Sequence, residues 1–323
     1  MKSLRFDGKG MEFFKIHFVN VILTILSLSF LYPWAKVREL KYICSNISLA
    51  DQPFTFSGTI REFFKGYLRT FLAFLFVILL AFAGGILMAM YINTIFTTVI
   101  YTVTMIVCLA ISYFIIPIIL HGSLNYRFNN TSWGDIKPIY TGKLSEIVPL
   151  YFTGITLTSL TLGIYNAWFQ VKMAKYLLPN FRFGSLSFDF SGEAKTLFLI
   201  LLKNGFLTLI TGGIYSFWFA KKLYEYSVNN IVVKKDDQEF NVHSDANTLE
   251  VFEMMVGNFL LIVLTLGIGT SWAYVRYYKF IINHCIIPAD FNFSSISEPV
   301  EAEESIRIPV KNWLDKWNPK LIG

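Results

Sequence analysis

Apolar positions in this chain fall in long uninterrupted runs, with the charged positions in short blocks between them. The longest run extends from Thr70 to Tyr126, 57 residues without an Asp, Glu, Lys or Arg. A helix needs roughly 20 apolar residues to cross a bilayer. This stretch therefore predicts two spans, 71–92 and 94–120, joined near Asn93 as an antiparallel hairpin. Arg61, Lys65 and Arg69 precede it, and Arg127, Lys137 and Lys143 follow it. Basic flanks stay cytoplasmic, which puts both ends of the hairpin on that side and its tip across the membrane. Four further uncharged runs, at 16–35, 147–171, 204–220 and 254–275, bring the candidate crossings to six.

The runs share one pattern. Trp34, Trp168, Trp218 and Trp272 anchor it, spaced 134, 50 and 54 residues apart, the first gap holding the inserted hairpin. Four residues after each Trp stands Arg38, Lys172, Lys222 or Arg276; eight after stands Tyr42, Tyr176, Tyr226 or Phe280. Asn46, Asn180, Asn229–Asn230 and Asn283 follow at eleven or twelve. Ser27, Thr161, Thr211 and Thr265 lie seven before, and Ser29, Gly163, Gly213 and Gly267 five before. About twenty residues after each Trp an alternating pair closes the unit, Phe54 and Phe56, Phe188 and Phe190, Phe240 and Val242, and Phe291 and Phe293, and Glu12, Glu62, Glu146 and Glu250 open apolar runs. Repeats of this period mean an array of similar supersecondary units.

Each unit reads as a short extended FxF link, a helix, a break at Gly, and a second helix from Trp. The Gly suits a helix end, and the acidic first turn suits a helix start. At 3.6 residues per turn, the Trp, basic, Tyr and Asn positions fall within roughly 100° on one face. The predicted fold is an all-α integral membrane protein of helix–Gly break–helix repeats with one inserted transmembrane hairpin. Its units are 1–58; 59–127, a diverged copy carrying the hairpin; 128–192; 193–243; and 244–296. A polar linker and an interfacial C-terminal helix at 297–323 complete it, the helix marked by Val310, Trp313, Leu314 and Trp317. Units that leave and return on the same side would keep every basic stripe cytoplasmic.

Composition supports the membrane. Hydrophobic residues make up 54% and charged residues 15%, where soluble domains carry about 25% charged; the mean hydropathy is +0.51. The net charge of +6 fits anionic headgroups better than nucleic acid. Three features then point to a family: the FDG at 6–8, the Thr-Leu-Gly-Ile-Tyr-x-x-Trp element at 161–168 with its basic-x-x-Lys-Tyr continuation, and the FxFSG closure. They resemble the YjgN family of bacterial inner-membrane proteins over roughly Leu4 to Ser294. The first copy departs with LYPW and the last with IGTSW. The resemblance implies a multi-pass place in the inner membrane and supplies no activity, substrate or site residues.

The stripe has three readings. Trp and Tyr anchor at interfaces and Lys and Arg snorkel to headgroups. Trp34, Trp168, Trp218, Trp272, Tyr42, Tyr176 and Tyr226 could instead pack copy against copy. Arg38, Lys172, Lys222 and Arg276 could line a site for lipid phosphate or another anion. Asn20, Asn204 and Asn258, with Lys203 beside one of them, are polar groups inside apolar runs; they read as interhelical hydrogen bonds or as the lining of a conduit.

Catalytic signals are missing. His17, His121, His243 and His284 form no ligand pair, and Cys44, Cys108 and Cys285 form no CxxC. Neither a phosphate loop nor a nucleophile elbow occurs. The expectation is a protein without catalytic site, cofactor or metal. Its partners are membrane lipids, with homo-oligomers open, and its function is lipid binding or membrane organisation. Transport of a small or anionic solute through the bundle is the alternative.

Overall fold

The computed structural model describes residues 4–90, 95–235 and 238–288, together with 291, 293 and 296. Five strand–helix–helix–strand units follow one another. The first is β1 (Leu4–Phe6), α1 (Gly10–Leu26), α2 (Tyr32–Ser45) and β2 (Ile47–Leu49); the second is β3 (Gln52–Phe56), α3 (Ile60–Met90), α4 (Ile95–Asn129) and β4 (Thr131–Trp133). The third is β5 (Pro138–Tyr140), α5 (Leu144–Leu160), α6 (Asn166–Leu177) and β6 (Phe181–Phe183). The fourth is β7 (Leu186–Phe190), α7 (Ala194–Ile210), α8 (Ser216–Asn229) and β8 (Ile231–Lys235), with β9 (Gln238–Asn241) after it. The fifth is β10 (His243–Ser244), α9 (Thr248–Leu264), α10 (Thr270–Asn283) and β11 (Cys285–Ile286).

The all-α expectation is overturned by these strands. They form three antiparallel sheets in the orders β1-β2-β3-β4, β5-β6-β7-β8-β9 and β10-β11. The physical cause is the hairpin itself: it returns the chain beside its own entry strand, so Leu4 pairs Leu49 and Phe56 pairs Thr131. Backbone groups at the hairpin base are satisfied by that pairing. Among the described residues two helices, not six, hold an apolar stretch long enough to cross a membrane, within Ile60–Ile86 and Thr98–Asn129. The predicted tip at Asn93 and the C-terminal helix lie outside the described residues.

Successive helices pack side by side, and α10 packs on α1, so the five hairpins close into a ring. At the closure, the indole of Trp272 stacks on Phe14 at 4.7 Å, and Asn283 Oδ1 accepts from the Phe6 amide at 2.8 Å. Below the hairpins the strands share one core of Leu49, Trp133, Phe183, Leu186, Val233 and Val242. The Trp133 indole N–H donates to the carbonyls of Leu49 and Gln52, both at 3.1 Å.

One repeated set of bonds fixes the bases of the first four units. The Tyr42 hydroxyl donates to Lys9 O at 2.9 Å, Tyr126 to Thr59 O at 3.0 Å, Tyr176 to Lys143 O at 2.9 Å and Tyr226 to Glu193 O at 2.9 Å. Each ties the second helix to the start of the first. The amides of Asn46, Asn130, Asn180 and Asn230 then donate to the main-chain oxygens of those same tyrosines. The fifth unit has Phe280 in place of Tyr. There the start of α9 carries a capping box, Asn247 accepting from Glu250 N at 2.9 Å and Glu250 from Asn247 N at 3.2 Å, and His284 after α10 reaches that start through Asp245 at 2.6 Å.

Candidate functional site

The second helix of a short unit has two contact faces, one toward its own first helix and one toward the next unit's. Val37 and Leu40 pack with Phe63 of α3, and Val171 with Leu197 of α7. Two members of the Trp stripe take part in this seam. Trp168 meets Phe198 of α7 at 5.3 Å, and Trp272 meets Phe14 of α1. Phe14 in turn touches Phe18 at 5.5 Å, and Phe18 is exposed. At the ring closure the stripe thus joins an exposed apolar patch of α1, and the first helices also expose Ile22 and Ile25 on α1, Leu202 and Phe206 on α7, and Phe259 and Val263 on α9.

The four basic residues sit one turn from each Trp toward the base, distributed around the ring rather than gathered at one point. The Arg38 guanidinium lies 4.4 Å over the Trp34 indole. Lys172 Nζ donates to the Tyr165 hydroxyl at 2.8 Å. Lys222 pairs with Glu225 at 3.1 Å. Arg276 lines an open cleft of about 600 Å³ between α9 and α10, with Glu250, Glu253, Lys279 and His284.

Asn20, at 2% exposure, donates to Ala35 O at 3.0 Å, and Asn258 donates to Ala273 O at 3.2 Å. Both tie the two helices of one hairpin together. Asn204 donates to Ile200 O of its own helix at 2.7 Å, and Lys203 is exposed. In α5 the same place is Gly154, filled by the phenyl of Phe169.

Ionic clusters join separate elements in ways the sequence does not show, and two of them hold a histidine. Glu39 takes His17 at 3.2 Å and Lys36 at 3.2 Å, all three at least partly buried. Burial raises the Glu39 carboxyl, but the bonds from His17 and Lys36 outweigh it and hold the group below its ordinary value. His284 meets Asp245 at 2.6 Å and Glu250 at 3.6 Å. The i,i+3 spacing of Lys36 and Glu39 was visible in sequence; the partners from other elements were not.

Burial pushes the Cys285 thiol up to about 11 and also raises Cys44. The thiolate is the reactive form, and its fraction grows tenfold per pH unit below the pKa. Maleimide at pH 7.5 will modify Cys285 roughly a few hundred-fold more slowly than an ordinary thiol of pKa about 8.5. The rate will climb toward pH 11, as mass spectrometry of the folded protein will show. A plateau near pH 9 would contradict the burial.

Comparison with known proteins completes the picture. The inner membrane protein YjgN of Salmonella typhimurium (strain LT2) is 37% identical over 73 residues, 23% of this chain and 18% of that protein. YjgN of Escherichia coli O157:H7 is 36% identical over 78 residues, 24% of this chain and 19% of that protein. The chain thus matches less than a fifth of the length of these curated relatives. No solved structure matches. The model of a family described as "Bacterial protein of unknown function (DUF898)" matches residues 1–202 and 219–306. Since that match spans most of the chain, the protein belongs to this family, and its place is the bacterial inner membrane.

Proposed function

We propose that this protein is a non-catalytic module that binds anionic lipid and organises the membrane around it. The observation that supports it most is the shared edge. Arg38, Lys172, Lys222 and Arg276 each stand one turn nearer the base than a Trp, on second helices that pack beside first helices with exposed apolar side chains. Basic groups at an anionic surface contribute on the order of 1 kcal/mol each. Four of them make headgroup charge a measurable determinant of stability.

The test is thermal unfolding in nanodiscs. The wild type will melt several degrees higher with phosphatidylglycerol than with phosphatidylcholine alone, and the gap will shrink in 1 M salt, where the Debye length is about 3 Å. Replacing the four basic residues by Gln will abolish the gap and leave the phosphatidylcholine value near that of the wild type. A gap that survives the four substitutions would refute the reading.

Transport of a small or anionic solute through the bundle is the second reading. Closure of the helices into a ring favours it, because only a closed ring can surround a path. Solute flux in proteoliposomes decides between them.

A further inference from the structure

We infer that the four short hairpins end inside the cytoplasmic leaflet, their tips seated among its acyl chains, while among the described helices α3 and α4 alone cross. The inference rests on membrane residence and on basic, cytoplasmic hairpin bases. It does not rest on the headgroup reading.

Length is the first argument. At the bases, strands pair from unit to unit, β2 with β3 and β6 with β7, and α4 packs on β5, which sets the starts of α1, α3, α5 and α7 side by side. From there α1, α5 and α7 run 17 residues, while α3 runs 31. At 1.5 Å per residue, that is about 25 Å against about 46 Å. The hydrocarbon core is about 30 Å thick, and more with the interfaces. Arg61, Lys65 and Arg69 hold the start of α3, about 14 Å of it, at the cytoplasmic surface, so hairpins that start at the same level and end after about 25 Å reach only about 11 Å into the core and stay in its cytoplasmic half.

Exposure is the second. The tips carry strongly exposed apolar side chains: Leu28 at 83%, Leu162 at 95% and Leu266 at 94%, joined by Leu209 at 82% in the fourth unit, an exposure matched among the described residues by Ile95 at 87% on the long hairpin. In water such patches are aggregation sites.

The third argument is the backbone, because a turn in lipid must satisfy its own amides. In the tip of α5 and α6, Thr161 N donates to Leu157 O, Leu162 N to Ser159 O, Gly163 N to Thr158 O, Ile164 N to Thr161 O and Asn166 N to Gly163 O. The remaining amide, Tyr165 N, donates to the Thr161 hydroxyl at 2.9 Å. All six amides from 161 to 166 are thereby used without water. The same six bonds recur at 27–32, 211–216 and 265–270, with Ser27, Thr211 and Thr265 supplying the hydroxyl. Loops built for water leave such groups to solvent; these four turns leave none of those amides.

Single cysteines in a chain freed of Cys44, Cys108 and Cys285 test this. Leu28→Cys, Leu162→Cys, Ile214→Cys and Leu266→Cys report the tips, and Gln238→Cys in β9 reports the base. In inside-out vesicles a membrane-impermeant maleimide will label Gln238→Cys at least ten-fold faster than any tip. In right-side-out vesicles no tip will label. A fluorophore placed on the tips will be quenched more by bromines at mid-chain than by headgroup spin labels. Tip labelling from the periplasmic face would mean full crossings and would overturn the inference. Tip labelling from the cytoplasmic face at the rate of Gln238→Cys would overturn it by placing the tips in water. Ile164→Cys and Ile268→Cys, outside the left-handed positions, replace any tip variant that misfolds. Loss of phosphatidylglycerol preference in the four-Gln variant would leave this labelling pattern unchanged.

Discussion

Gly192→Val will destabilise the folded protein by about 2–4 kcal/mol and lower its melting temperature in detergent by several degrees. A Cβ at residue 192 would lie 2.4 Å from the Phe190 ring and 2.7 Å from the Tyr226 hydroxyl. Both side chains are buried, at 7% and 8%. Overpacking of this kind costs about 1–3 kcal/mol. The displaced hydroxyl also gives up its 2.9 Å bond to Glu193 O, and a lost bond costs about 1 kcal/mol more. Gly205→Ala in α7 is the contrast, since nothing lies within 4 Å of its Cβ. There alanine's better helix propensity will leave stability equal or raise it by about 0.5–1 kcal/mol. Equal melting temperatures for the two variants would show that the close approach has no consequence. The same contact explains the recurring glycine of FDG and FSG: Gly8 faces the Phe6 ring, Gly58 the Phe56 ring and the Tyr126 hydroxyl, and Gly142 the Tyr140 ring.

Thr161→Val will cost about 1–3 kcal/mol although valine has nearly the shape of threonine. The hydroxyl accepts from Tyr165 N at 2.9 Å and donates to Leu157 O at 2.7 Å. Valine leaves the Tyr165 amide unpaired at an apolar tip, and an unsatisfied donor there carries its full desolvation cost. Thr161→Ser keeps the hydroxyl and will be close to neutral, as Ser27 already does this work in the first unit. The two variants compared by thermal unfolding in nanodiscs separate the bond from side-chain volume. Because the four turns lie in separate units, Val at 161, 211 and 265 together should sum nearly additively. Equal effects of Ser and Val would exclude the amide bond as the cause.

Much of this architecture can be read along the chain. The uncharged stretch from Thr70 to Tyr126 forces a long hairpin whatever surrounds it, because charge and length alone decide whether a segment can cross. The Trp, basic, Tyr and Asn offsets fall on one helical face by arithmetic. What each member does was not readable that way. A Tyr eight residues after a Trp looks like an interfacial anchor; in the fold it caps a helix 33 residues upstream. Asn20 looks like a polar lining and is bonded to Ala35 O across its own hairpin.

The strands were missed for a related reason. Segments of two to five residues carry too little alternation to be told from links. They become strands only because the hairpin brings their partners alongside. The single-sided basic flanks, the long hairpin and the repeat spacing are local properties of composition and period, and the sequence alone determines them. The ring closure of α10 on α1, the sheets at the base, the ionic cluster of His17, Lys36 and Glu39, and the self-saturated tips depend on groups brought together from separate elements. Only the tertiary structure could decide those, since a hydrogen bond or a packed seam exists where two distant groups meet and neither group specifies its partner by itself.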